Sequence, residues 1–76
     1  MSRSEEVEQL DALIRILVKR RHELHHSQET INYEVGVADR LLSKWEIGMK
    51  HPSLRSLMRW AEALDMTLDI TVKEKK

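Results

Sequence analysis

The feature that most constrains this chain is the segment 28–47, in which one glycine separates two short amphipathic stretches. Ile31 and Val35 stand one helical turn apart, so both face the same side of the first stretch. Gly36 can adopt a positive φ angle, which ends one helix and turns the chain sharply into the next. The segment therefore predicts two short helices joined by a tight turn.

The second stretch has one apolar and one polar face. Leu42 and Trp45 form a buried stripe with i, i+3 spacing, and the opposite face is polar and partly basic. A helix of this kind, held by its neighbours, fits the major groove of DNA. The alternative for Arg40 and Lys44 is an exposed basic face that does not contact DNA. The alternative for Asp39 is a carboxylate that stabilises the N-terminus of the helix. The candidate base-reading residues are Asp39, Arg40, Ser43 and Lys44.

Length and composition limit the class of protein. A chain of 76 residues forms one small domain, which buries roughly 60% of its surface. No apolar run approaches the ~20 residues of a membrane span, and no signal peptide opens the chain. We therefore expect a cytoplasmic protein, associated with the nucleoid if it binds DNA. With no cysteine, disulfides and thiolate metal sites are excluded.

The formal net charge of zero argues mildly against nucleic-acid binding. The charges are unevenly distributed, however, because the first turns are acidic and most basic residues follow later. A basic face can coexist with an acidic one, so this dipolar arrangement weakens the objection to DNA binding without removing it. The later basic residues are Arg15, Lys19, Arg20, Arg21, Arg40, Lys44, Lys50, Arg55 and Arg59.

Hydrophobic periodicity predicts four helices. Ser27 and Ser53 are good N-cap residues for the second and fourth of them. The predicted boundaries are about 4–24 for the first helix, a start after Ser27 for the second, 38–45 for the third and a start after Ser53 for the fourth. The expected buried residues are Val7, Leu10, Leu13, Ile14 and Leu17 in the first helix and Leu54, Leu57, Trp60, Ala61 and Leu64 in the fourth.

The segment 66–72 alternates apolar and polar residues, as a half-buried strand does. No second strand is indicated elsewhere, so the simplest partner is the same strand of another copy, paired antiparallel about a two-fold axis. We therefore divide the chain into a helical domain, 1–65, and a dimerisation strand with a basic tail, 66–76. The expected dimerisation residues are Met66, Leu68, Ile70 and Val72, followed by the tail lysines Lys73, Lys75 and Lys76.

Over about residues 17–66 the chain resembles the Cro/lambda-repressor-like helix-turn-helix proteins, often called the Xre family. The resemblance rests on Arg21, SQETI at 27–31, VGV at 35–37 and LLSKWEIGMKHPSLRSLMRWAEALDM at 41–66. It implies an all-α bundle of four or five helices that binds DNA sequence-specifically, usually as a dimer. The tail also resembles the C-terminal strand of antitoxin-type members, which pairs across the dimer.

The resemblance also implies roles for individual residues. Arg21 and Glu46 match an internal ion pair that ties the first helix to the end of the third. Gln28 matches a contact to the DNA backbone, although a solvated glutamine at a helix start is the alternative. The residues expected to contact phosphates are Ser27, Gln28, Lys50, His51 and Arg55.

This sequence departs from the family pattern at a few positions. Asn32 replaces a small residue where the second and third helices approach, so it must be hydrogen-bonded or push them apart. Ala38 replaces the usual Ser or Thr cap of the third helix. Leu41 replaces a small polar residue, and His25 and His26 stand where a glycine and an apolar residue are usual.

Residues 22–26 read H-E-L-H-H and so contain H-E-x-x-H, the zinc-protease signature. The chain offers no obvious third ligand and is too small for a substrate cleft, and histidines suit the end of a helix. We therefore expect no enzyme activity, no metal and no cofactor.

The sequence thus predicts a dimeric transcriptional regulator, most simply a repressor, that binds an inverted-repeat operator in double-stranded DNA. Two other functions stay open. One is an antitoxin that holds a partner toxin and represses its own operon. The other is a protein-interaction module that has kept the fold and lost DNA binding.

Overall fold

The computed structural model describes residues 3–74, and all regular structure within them is helical. The predicted all-α architecture is therefore confirmed. Lys75 and Lys76 of the expected basic tail lie outside the described residues. The helices are α1 (Arg3–Glu23), α2 (Gln28–Val35), α3 (Leu41–Glu46) and α4 (Leu54–Ala63).

Two serines cap helices, as the sequence predicts. The Ser27 hydroxyl accepts a hydrogen bond from the Thr30 backbone N–H at 3.1 Å. The Ser53 hydroxyl accepts one from the Ser56 N–H at 3.2 Å. Each cap satisfies one of the N–H groups that a helix start leaves without an intrahelical partner.

Left-handed residues follow the ends of the helices. Gly36 has φ 79° and ends α2, where its N–H bonds the carbonyls of Asn32 and Tyr33. His25 has φ 58° and follows α1, and the N–H of His26 bonds back to the Arg21 carbonyl. This geometry is a Schellman ending, in which glycine is the least strained residue. Residues Gly48 and Asp65 adopt the same φ region after α3 and α4.

The core lies where α2 packs against both α3 and α4, and α1 packs against α3. The rings of Trp45 and Trp60 stand at its centre, 5.7 Å apart between centroids. On α1, the side chain of Arg20 donates a hydrogen bond to the Leu64 carbonyl at the end of α4. The buried apolar residues are Ile14, Leu17, Ile31, Val35, Leu42, Trp45, Leu57, Trp60, Ala61 and Leu64.

Two residues predicted to be buried are instead exposed. Val7 lies on the first turns of α1, where every described side chain up to Gln9 is exposed. Leu54 is the first residue of α4 and is 53% exposed. Helical periodicity predicts a face but does not predict how far the neighbouring helices extend along it, which explains both errors.

The expected strand at 66–72 is not formed, since residues 66–74 of the described chain have neither helix nor strand. A strand needs backbone hydrogen bonds from a neighbour, and a single chain with one strand-like segment offers none. Met66 and Leu68 are half-buried and pack against the helical core. Ile70 and Val72 are exposed.

None of the helices in residues 3–74 combines the length and hydropathy needed to cross a membrane.

Candidate nucleic-acid interface

An open groove runs between α2 and α3, on the side of the turn that joins them. Four of the predicted DNA contacts line it, and Tyr33 and Asn32 contribute to its wall. The predicted residues brought together there are Gln28, Asp39, Arg40 and Ser43. Lys44, Lys50, His51 and Arg55 do not line this groove.

The third helix begins later than the sequence predicts, at Leu41 rather than Ala38. Asp39 and Arg40 therefore lie in the turn before α3, so Arg40 and Lys44 do not both stand on that helix. Arg40 has a left-handed backbone, φ 62°, and its side chain gives α3 no cap. Ala38 also lacks a polar side chain that could cap the helix, which explains the late start.

Asn32 is the buried polar residue between α2 and α3. Its side-chain Nδ2 donates to the carbonyls of Val37 and Ala38, at 3.3 and 3.1 Å. Its Oδ1 accepts a hydrogen bond from the Leu42 N–H at 2.9 Å. Of the two outcomes considered from the sequence, hydrogen bonding is therefore the one found.

Residues of the turn and of α3 keep polar groups near the groove. Asp39 and Arg40 are exposed, and Ser43 and Lys44 are half-buried. The Ser43 hydroxyl donates to the Arg40 carbonyl at 2.7 Å, which ties the turn to the first turn of α3. The turn and α3 therefore contribute one guanidinium, one carboxylate and one hydroxyl to the groove, and Glu29 and Glu34 of α2 add two further carboxylates.

The residues expected to contact phosphates fall into two groups. Ser27 and Gln28 are at the start of α2, and both make bonds within the protein: Ser27 caps the helix, and the Gln28 Nε2 donates to Glu46 at 2.9 Å. Lys50 and His51 lie in the loop before α4, and Arg55 lies on its first turn. All three of these are exposed.

Arg21 and Glu46 form a bidentate ion pair between α1 and the end of α3. The Nε of Arg21 donates to Glu46 at 2.9 Å, and a second guanidinium nitrogen donates at 3.0 Å. Both side chains are almost fully buried, with exposures of 9% and 6%. Arg21 also donates to the His26 carbonyl, so one guanidinium links α1, α3 and the loop before α2.

Two exposed residues near the interface were missed by the sequence reasoning. Tyr33 is 85% exposed and lines the groove. Ile47 follows α3 directly and is 69% exposed. Tyr33 lies one turn from Glu29 and Thr30 on the polar face of α2. An aromatic residue on a polar face indicates a contact surface, and this signal could have identified Tyr33 from the sequence.

The H-E-x-x-H segment does not form the helical face that a zinc site of this kind requires. α1 ends at Glu23, so His22 is on the helix and His26 lies beyond it. The Nε2 of His22 stands 3.1 Å from a guanidinium nitrogen of Arg21, which can only donate. Among residues 3–74 no three His, Asp or Glu side chains are grouped closely enough to hold a metal ion.

Comparison with protein-family models gives a match to a helix-turn-helix family over residues 17–70, which is most of the chain. Neither the curated proteins nor the solved structures include a significant match. The matched region contains α2, the Gly36 turn, α3 and α4, and thus the whole groove described above. The chain therefore belongs to this helix-turn-helix family of DNA-binding regulators.

Proposed function

We propose that the protein is a sequence-specific repressor that binds an inverted-repeat operator as a homodimer. The observation that carries this proposal is the groove between α2 and α3, which is lined by Arg40 of the turn and by Ser43 of the short α3. In this proposal α3 and the preceding turn enter the major groove. The two half-sites of the operator lie about one helical turn apart, roughly 10 bp.

In this proposal, polar residues of the turn and of α3 read the bases. Arg40 donates two hydrogen bonds to guanine O6 and N7, a pairing worth roughly 1–3 kcal/mol of discrimination against other bases. Asp39 accepts from cytosine N4, and Ser43 and Lys44 contact neighbouring base edges. The exposed Ile47 adds an apolar surface for a thymine methyl group.

The phosphate contacts set affinity and register rather than sequence preference. Lys50, His51 and Arg55 are exposed near the start of α4, whose free backbone N–H groups add to an anion site. Ser27 and Gln28 approach the other strand from the start of α2. Because Gln28 is held by Glu46, its amide is oriented before DNA arrives.

Dimerisation is assigned to the tail, with 1–65 as the DNA-binding domain and 66–76 as the dimerisation segment. Ile70 and Val72 are exposed apolar residues, which supports a partner strand on this segment. Deleting residues 69–76 keeps the packed Met66 and Leu68, so the helical core stays intact. Light scattering should then give the mass of a monomer, and an unchanged dimer mass would rule out pairing through the tail.

The DNA-binding roles are tested by selecting bound sequences from a random pool and titrating the selected site at several salt concentrations. The variant Arg40→Ala/Lys44→Ala should lower the preference for the selected site over random DNA by at least about tenfold. The matched control is Arg15→Ala/Lys19→Ala, which removes the same charge from exposed positions on α1. Binding without salt dependence, or equal losses in both variants, would contradict the assignment.

A second candidate is a protein-interaction module, including an antitoxin that holds a toxin. It is favoured by the acidic residues at the groove, because Glu29, Glu34 and Asp39 all line it and oppose phosphate approach. If no sequence is enriched from the random pool, while a second protein co-purifies with the wild-type chain, this candidate replaces the repressor.

A further inference from the structure

We propose that Asn32 is a positioning residue that holds the start of α3 against α2 and thereby sets how α3 is presented to DNA. The part of this proposal that concerns DNA rests on the proposed function. The part that concerns the position of α3 does not, because it can be measured on the free protein.

The Asn32 amide makes all of its side-chain hydrogen bonds with the segment that leads into α3. It donates to the carbonyls of Val37 and Ala38 and accepts from the N–H of Leu42. The residue is only 8% exposed, so water does not replace these partners readily. Loss of the side chain would leave the Leu42 N–H and the Val37 carbonyl without this partner, whereas the Ala38 carbonyl would keep its hydrogen bond from the Leu41 N–H.

α3 needs this contact because it has no local cap. Its N-cap position is Arg40, which is left-handed and makes no side-chain cap hydrogen bond. Ala38 has no hydroxyl to offer. The free N–H groups at a helix start must find acceptors, and the Leu42 N–H finds one on α2. The cap of α3 is therefore tertiary, and the position of α3 depends directly on α2.

A tertiary cap has a consequence that a local cap lacks. A serine at the N-cap moves with its own helix, so it stabilises α3 without fixing the position of α3 relative to α2. Asn32 joins the two elements of the helix-turn-helix and contacts both ends of the turn between Val37 and Leu42. It thus holds Arg40 and Asp39, which lie between its contacts, at a set distance from α2.

The test compares Asn32→Ala with Asn32→Asp and with Val35→Ala. Val35 is buried on the same helix and is apolar, so its truncation lowers stability without removing a hydrogen bond to the turn. Amide hydrogen exchange is measured on the free protein at Leu42 and at Leu17, which lies in the middle of α1 and reports global unfolding. The preference for the selected site over random DNA is measured under conditions in which each variant is fully folded.

For Asn32→Ala we expect Leu42 exchange to accelerate by at least about tenfold more than Leu17 exchange. The preference for the selected site should fall by roughly tenfold. Val35→Ala should accelerate both amides by the same factor and leave the preference unchanged. Asn32→Asp has nearly the same shape and keeps an acceptor for the Leu42 N–H, but its second oxygen faces the Val37 and Ala38 carbonyls instead of donating to them. It should therefore also accelerate Leu42 exchange more than Leu17 exchange, and it still reports if the alanine variant does not fold.

Equal acceleration of Leu42 and Leu17 in Asn32→Ala, with an unchanged DNA preference, would show that Asn32 only stabilises the fold and would overturn the proposal. Equal acceleration of Leu42 and Leu17 in Asn32→Asp would overturn it as well. If the wild-type protein selects no DNA sequence, the proposed function fails, and the exchange rates alone still decide whether Asn32 holds α3.

Discussion

Removing the carboxylate from the buried pair of Arg21 and Glu46 should produce one of the largest stability losses of any single side-chain change in this chain. Glu46 accepts two hydrogen bonds from Arg21 and one from Gln28, and its side chain is only 6% exposed. Glu46→Leu puts an apolar side chain of similar size in place of the carboxylate and leaves the guanidinium buried without its counter-charge. Breaking one side of such a pair costs about 3–5 kcal/mol.

The size of this loss can be compared with the stability of the whole domain. At 0.05–0.15 kcal/mol per residue, a chain of 76 residues has a free energy of unfolding of roughly 4–11 kcal/mol. Glu46→Leu should therefore remove about a quarter or more of it. In urea, where a small protein loses about 1 kcal/mol of stability per molar, the unfolding midpoint should fall by roughly 3–5 M.

The comparison that isolates the pair uses Arg21→Met and the double variant Arg21→Met/Glu46→Leu. Replacing both charges by apolar groups leaves no uncompensated ion, so the double variant should be more stable than Glu46→Leu alone. The control is Glu62→Ala, an exposed glutamate on α4, which should change stability by less than about 0.5 kcal/mol. If the losses of the two single variants simply add in the double variant, the pair is not coupled and the reasoning is wrong.

Three further changes test the residues that begin or end the helices, by the same urea titration. His25→Gly should stabilise the protein by about 1 kcal/mol, because His25 is left-handed and glycine adopts this φ without strain; no gain would contradict the strained backbone. Gly36→Ala should cost about 1 kcal/mol and Gly36→Asn less, since a Cβ there meets no atom within 4 Å and only the φ of 79° opposes it; equal costs would contradict this. Ser53→Ala should cost about 1 kcal/mol through the lost cap of α4, and an unchanged midpoint would contradict that role.

The sequence predicted those helix boundaries that depend on local chemistry. Ser27 and Ser53 mark the starts of α2 and α4, and Gly36 marks the end of α2, because capping and positive φ depend on one or two residues. The pairing partner of Arg21 came from the family resemblance. Hydrophobic spacing also located the buried faces of α3 and α4 correctly, apart from Leu54.

The errors concern features that depend on residues distant in sequence. α3 starts at Leu41 because neither Ala38 nor Arg40 caps it locally; the Leu42 N–H is instead bonded by Asn32 of α2, and no local pattern encodes that contact. Asn32 was singled out as a departure, but its partners could not be deduced from spacing. The alternation at 66–72 describes a strand correctly only if a partner supplies hydrogen bonds, and the single chain supplies none.

The contact between Trp45 and Trp60 gives the protein an intrinsic spectroscopic probe. These are the only tryptophans in the sequence, one on α3 and the other on α4. Both are buried, and their rings are 5.7 Å apart at an angle of 31°. Near-UV circular dichroism and tryptophan fluorescence therefore report the packing of α3 against α4 without any label. Substitutions that displace α3 from α4 should change both signals in the free protein, before any DNA is added.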